Sequence, residues 1–160
     1  MTFEQIEQQV RIQTDKATVD GSNNVKPILQ RPFENRTIID NVALIQCVFG
    51  LDEEQLKACE KAINLLFRHN AFPGEYIFIE AQDDEKDARF EYLAEKYGAK
   101  YVFRKTGPKN KGVFLKHALW SIGAKLTSAD KLVFLDADTA FTNSDWLQQA
   151  SNSLDGFDVS

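Results

Sequence analysis

Four short runs of apolar residues, each followed by a stretch with helical periodicity, leave this chain few ways to fold. The first run, Val42-Ala43-Leu44-Ile45-Gln46-Cys47-Val48-Phe49, is nearly continuous and stops at Gly50. The second is Tyr76-Ile77-Phe78-Ile79, ending at Glu80, and the third is Lys100-Tyr101-Val102-Phe103-Arg104. The fourth, Lys131-Leu132-Val133-Phe134-Leu135, runs into Asp136-Ala137-Asp138-Thr139. Such runs predict strands, and the fourth reads as one buried on both faces of a parallel sheet. Between them lie apolar residues at helical spacing: Leu56, Cys59, Ile63, Leu66 and Phe67, then Phe90, Leu93 and Tyr97, then Phe114, Ala118 and Ile122. Trp146 and Leu147 start a fourth helix near Ser144. Alternation of this kind predicts an α/β fold, a three-layer sandwich with a mostly parallel sheet and helices on both faces.

Local signals set the expected boundaries. Asp52 with Gln55 three residues on reads as a capping box, opening a helix that runs to about His69. His69 is most simply a helix-end cation. Pro73-Gly74 reads as a turn, and Asp83 or Asp84 as the cap of the second helix. Gly98 stands where a left-handed cap ends that helix. Thr106-Gly107-Pro108-Lys109-Asn110 is a loop, with Asn110 as a candidate cap for the third helix. Gly123 falls inside the third helical pattern, where glycine implies close packing or a helix end. Phe157-Asp158-Val159 reads as the start of a further strand. Residues 1–36 form a polar N-terminal arm, with one short helical pattern at Phe3, Ile6 and Val10. The α/β domain, Rossmann-like in its alternation, covers residues 37–160.

At 160 residues with 43% hydrophobic and 27% charged residues, one soluble globular domain is expected. A net charge of −5 argues against a general nucleic-acid binder. The total conceals an asymmetry. Between Tyr97 and Ala129 there is no acidic residue, while Lys100, Arg104, Lys105, Lys109, Lys111, Lys116 and Lys125 all fall there. A basic segment leading to an acidic pair suits an anionic ligand bridged by a metal, although a solvated basic face has the same composition. Cys47 and Cys59 have no metal-ligand or redox spacing and read as buried thiols. No secretory leader or membrane-spanning run is present, so a cytoplasmic protein is expected. His117 reads as a structural or surface residue.

The chemistry concentrates at Asp136 and Asp138. Ligands of open α/β sheets sit beyond the carboxyl ends of the strands, where these acids fall. Two carboxylates there repel each other unless a cation or proton compensates, and a divalent metal holding a phosphate would do so. Alternatively, one acid caps the following helix and the other is solvated. Gly107 and Gly112 have the separation of a phosphate-binding loop, but Val113 and Phe114 stand where that motif needs Lys and Ser or Thr. The haloacid-dehalogenase-like phosphatases also carry an Asp-x-Asp after an apolar strand. Their pattern has Thr or Val two residues beyond the second Asp, where this chain has Ala140, and it needs a longer chain afterwards.

Residues 42–150 resemble the nucleotide-sugar half of family-2-like glycosyltransferases with the GT-A fold. Leu44 to Gly50 is similar to the family's first strand, with Cys47 for Pro and Gly50 for Asn. Ile77-Phe78-Ile79-Glu80 resembles the second strand, with Glu80 in place of the base-reading Asp. Lys109-Asn110-Lys111-Gly112 and the helix Ala118-Leu119-Trp120-Ser121-Ile122-Gly123-Ala124 resemble the family's basic-Gly segment and its Ala-Leu-Asn-x-Gly helix, with Ser121 for Asn. Phe134-Leu135-Asp136-Ala137-Asp138 matches the Asp-x-Asp strand closely.

The resemblance implies a glycosyltransferase that binds a UDP- or GDP-sugar donor through Mn²⁺ or Mg²⁺. Asp138 would be the more direct metal ligand, and Asp136 would contact the ribose or the metal shell. Phe49 and Glu80 would hold the base, Ser121 would contact the nucleotide, and Lys109 or Lys111 would add charge near the phosphates. It also implies that the GT-A fold is incomplete here, with the acceptor half and any catalytic base expected beyond residue 160. A non-catalytic module that binds a nucleotide-sugar or a partner protein is the competing expectation.

Overall fold

The computed structural model describes residues 37–68, 71–83, 87–106 and 115–156. Their order is β1 (Thr37–Phe49), α1 (Glu53–Leu66), β2 (Ala71–Gln82), α2 (Glu91–Lys96), β3 (Lys100–Lys105), α3 (Lys116–Ala124), β4 (Lys131–Asp136) and α4 (Trp146–Leu154). The strands form one sheet in spatial order β3-β2-β1-β4, and each neighbouring pair is parallel. This is the expected Rossmann-like α/β architecture. The N-terminal arm, His69, Asp84, Asn110, Phe114 and the strand expected at Phe157–Val159 lie outside the described residues.

Side chains of a strand alternate between faces, so β1 feeds two cores. Val42, Leu44 and Val48 pack with Tyr76, Phe78 and Tyr101 under Leu56, Ile63 and Leu66 of α1, Leu93 of α2, and Trp146 and Leu147 of α4. On the opposite face Ile45 and Cys47 pack with Ile77, Ile79 and Val102 under Leu119 and Ile122 of α3. Helices therefore cover both faces. The chain steps from β1 to β2 to β3 in one direction, then returns across the sheet to place β4 on the other side of β1. The strand order reverses between β1 and β4, which is where an open α/β sheet forms its ligand crevice.

Most local signals act as expected. Asp52 accepts the Gln55 backbone N–H at 2.9 Å, and the Gln55 side chain accepts the Asp52 N–H at 3.0 Å, closing the capping box. Gly98 follows α2 with φ +66°, a conformation that favours glycine. Gly123 brings α3 onto the sheet: a Cβ there would lie 2.4 Å from Ile45 Cγ2 and 3.2 Å from Ile79 Cδ1.

Three expectations need correction. Pro73-Gly74 is not a turn but part of β2, where Pro73 pairs with Ile39 at an irregularity in the β1–β2 register. A Cβ at Gly74 would lie 2.3 Å from the Asp40 carbonyl oxygen, so this close backbone approach excludes a side chain. Asp83 does not cap the second helix, since the cap position is Phe90 and carries no side-chain hydrogen bond. Finally, β4 is not buried on both faces. It is paired only to β1 at one border of the sheet among the described residues, and Phe134 is 40% exposed.

Gly123→Ala should lower stability by about 1–3 kcal/mol through overpacking, despite the better helix propensity of alanine. Thermal or urea unfolding checks this. A stability equal to or above wild type would show that α3 is free to move off the sheet.

Candidate functional site

The carboxyl ends of β1 and β4 adjoin at the reversal point. Cys47 is in register with Asp136, so Phe49 reaches two residues further along β1, towards the level of the turn after β4. That turn closes with the Thr139 N–H on the Asp136 carbonyl at 3.0 Å. It buries Ala137 in the core and leaves Asp136 and Asp138 exposed on either side. Gly50 leaves β1 with φ +56° and donates its N–H to the Ala81 carbonyl at 3.3 Å.

Two buried polar side chains fix this border from below. Gln46, inside the apolar run of β1, donates to the Asp136 carbonyl at 3.2 Å and accepts the Tyr76 hydroxyl at 2.9 Å. It thereby links three neighbouring strands within the core. A buried amide needs such partners, and this lone polar residue in an apolar run was the sequence signal for them.

Glu80, fully buried on β2, is the second. Its carboxylate accepts the backbone N–H of Arg89 at 2.9 Å and of Phe90 at 2.9 Å, the Gln82 amide at 2.7 Å and the Tyr101 hydroxyl at 2.6 Å. Burial, then the bond to Glu80, pushes the Tyr101 phenol far above its ordinary range. Glu80 was expected to read a nucleobase. The Glu80 oxygens accept from these internal donors, which hold the segment leading into α2.

Opposite Asp136 stands Lys116, the first residue of α3, whose ammonium forms an ion pair with the Asp136 carboxylate. The same ammonium lies 4.6 Å from the centroid of the Trp120 ring. Trp120 also packs on Phe134 of β4, with centroids 5.3 Å apart. The fields of these charges reach the neighbouring thiols. Burial, then Asp136, pushes Cys47 up to about 12, with Lys116 opposing. Burial, then Asp138 and Asp136, pushes Cys59 up to about 11.

The remaining expected residues are dispersed. Phe49 is half-buried at the end of β1, packed against the core on the α3 face. Ser121 is exposed on α3, and its hydroxyl donates back to the His117 carbonyl at 2.9 Å. His117 is exposed and lies edge-on to Trp120. Lys109 and Lys111 lie outside the described residues. In the sequence Lys116 is one of seven basic residues in an acid-free segment, with nothing to separate it from the others.

The donor chemistry limits what metal could bind. No group of three or more His, Cys, Asp or Glu residues gathers to hold a metal ion among the described residues. Two exposed carboxylates cannot close a structural zinc site, which takes four protein ligands. They do suit a hard divalent ion that keeps several waters and takes phosphate oxygens for the rest of its shell.

None of the protein-family models and none of the curated proteins compared with the sequence matches it. Among solved structures the fold is similar to a crystal structure of S. aureus TarS, residues 1–349, with 15% identity and a TM-score of 0.44. The similarity covers 72% of this chain and 32% of that one, so the chain spans less than a third of that structure's length.

Both thiols should resist an aromatic disulfide reagent at about pH 8 in the native protein, where an ordinary thiol near pKa 8.5 reacts readily. Both should react at once in denaturant. Because folding raises each thiol pKa, the folded state holds these protons more tightly, and the resulting stability is lost as pH rises past the unfolded thiol value. Fast labelling of native Cys47 would contradict its burial beside Asp136.

Proposed function

We propose that this chain is the donor-binding part of a metal-dependent glycosyltransferase, taking a nucleoside-diphospho-sugar at the β1–β4 border. The observation that supports this most is that Asp136 ends β4, with Asp138 just beyond it, where the strand order reverses, and that Lys116 is paired to Asp136. Strand order, an acidic turn and a lysine at a helix start are together suited to a metal-bound diphosphate. The described residues contain no helix long and apolar enough to cross a membrane, and the two buried cysteines are free. Free buried thiols are what a reducing compartment such as the cytoplasm maintains.

In this reading Asp138 and Asp136 hold Mn²⁺ or Mg²⁺. When bound, the ion offsets the negative charge that develops on the nucleoside diphosphate as the sugar–phosphate bond breaks. The chain's own residues supply position. Gln46 pins the Asp136 carbonyl and so sets where the acidic turn begins. Phe49, half-buried at the end of β1, offers a ring face for the base. Glu80 contributes indirectly, by holding the segment between β2 and α2. Lys109 or Lys111, outside the described residues, would add positive charge near the phosphates.

Titration calorimetry with UDP-glucose and GDP-mannose, each with Mn²⁺, tests the reading. One of the two should bind, and Asp138→Asn should weaken it by roughly tenfold or more. Absence of binding, or binding indifferent to Asp138→Asn, would overturn the proposal. Donor binding without donor hydrolysis or sugar transfer would favour the non-catalytic module instead.

A further inference from the structure

Asp136 already has a cation. Lys116 forms the ion pair with its side chain only 21% exposed, while that of Asp136 remains 50% exposed. The lysine is enclosed and the acid is open to solvent, so a ligand arriving from outside meets Asp136 first. The backbone of Lys116 is held on the sheet. Its carbonyl lies 4.0 Å from Cys47 Sγ, and two turns on Gly123 presses α3 against Ile45 and Ile79. Only the four-carbon stem can move, and its ammonium presents three donors that can turn from one oxygen to another.

Resting on the donor-binding reading above, we infer that Lys116 and the divalent ion exchange places on Asp136. In the metal-free protein the ammonium is the carboxylate's counter-cation, held also by the face of Trp120. A divalent ion on the same carboxylate repels an ammonium in contact distance, and Lys116 leaves. The displaced ammonium would then be available to the diphosphate oxygens, to which it would donate a charge-assisted hydrogen bond. Lys116 therefore opposes metal binding when no nucleotide is present and supports it when the diphosphate is bound.

This opposition of sign is what the experiment reads. Lys116→Met keeps the stem against Trp120 and removes the charge. In calorimetry of the full chain with Mn²⁺ alone, Lys116→Met should bind the ion about two- to fivefold more tightly than wild type, as expected for loss of a partly exposed ion pair. With Mn²⁺ saturating, its affinity for UDP or GDP should fall by a similar factor. Lys116→Arg should return both values towards wild type, which a merely structural role would not require. Trp120 emission should change when Mg²⁺ is added to wild type and not to Lys116→Met, with Trp120→Phe assigning the signal.

Mn²⁺ affinity that is unchanged or weaker in Lys116→Met overturns the exchange, as does the absence of Mn²⁺ binding in both proteins. If a nucleotide-sugar still binds wild type in either case, the exchange alone fails and the donor-binding reading stands. If neither metal nor nucleotide-sugar binds, the reading beneath it fails as well.

Discussion

β1 is paired along both edges, to β2 and to β4, and covered on both faces, so from Val42 to Val48 it is shut away from water. Everything at the candidate site is referred to this strand. The α3 face of β1 receives Gly123 and hence fixes the start of α3, which carries Lys116. The other face carries Gln46, which bonds to the Asp136 carbonyl. Both halves of the ion pair thus take their positions from one enclosed element. Burying apolar surface contributes about 25 cal/mol per Å², and the enclosed run of β1 gains this on each face.

Enclosure also penalises polar groups left unbonded inside. An unbonded buried donor or acceptor costs about 1–3 kcal/mol, so Gln46 and Glu80 specify geometry as strongly as the apolar residues around them. Each reaches across strands: Gln46 to β2 and β4, Glu80 to β3 and the segment before α2. The two networks divide the labour of the sheet's carboxyl border. One sets the acidic turn, and the other sets the connection on the far side of β2.

What could be read from the chain follows the range of the interaction responsible. The Asp52 capping box and the Gly98 helix end depend on neighbours a few residues away, and both were legible. The strand series was legible because each run is apolar along most of its own length. Pro73-Gly74 misled because its reason for being in a strand is Asp40, on another element. β4 misled because an apolar run states what a strand is made of, not whether a neighbour lies on its second edge. Asp136 and Asp138 were legible as a pair of acids at a strand end. The partner of Asp136 was not, because Lys116 is brought to it only by the return of the chain across the sheet.

That return has a kinetic side. The Gln46 side chain and the Asp136 carbonyl are 90 residues apart in sequence, whereas Gln46 and Tyr76 are 30 apart. Pairings of long sequence separation carry the larger loop-closure entropy and tend to form late. The first three strands can therefore assemble while the acidic turn is still remote from β1. A chain caught at that stage has most of its hydrophobic core and no β4 beside β1. A ligand that needs Asp136 and Asp138 beside β1 would then bind only the finished sheet, and by mass action would hold the last strand in place.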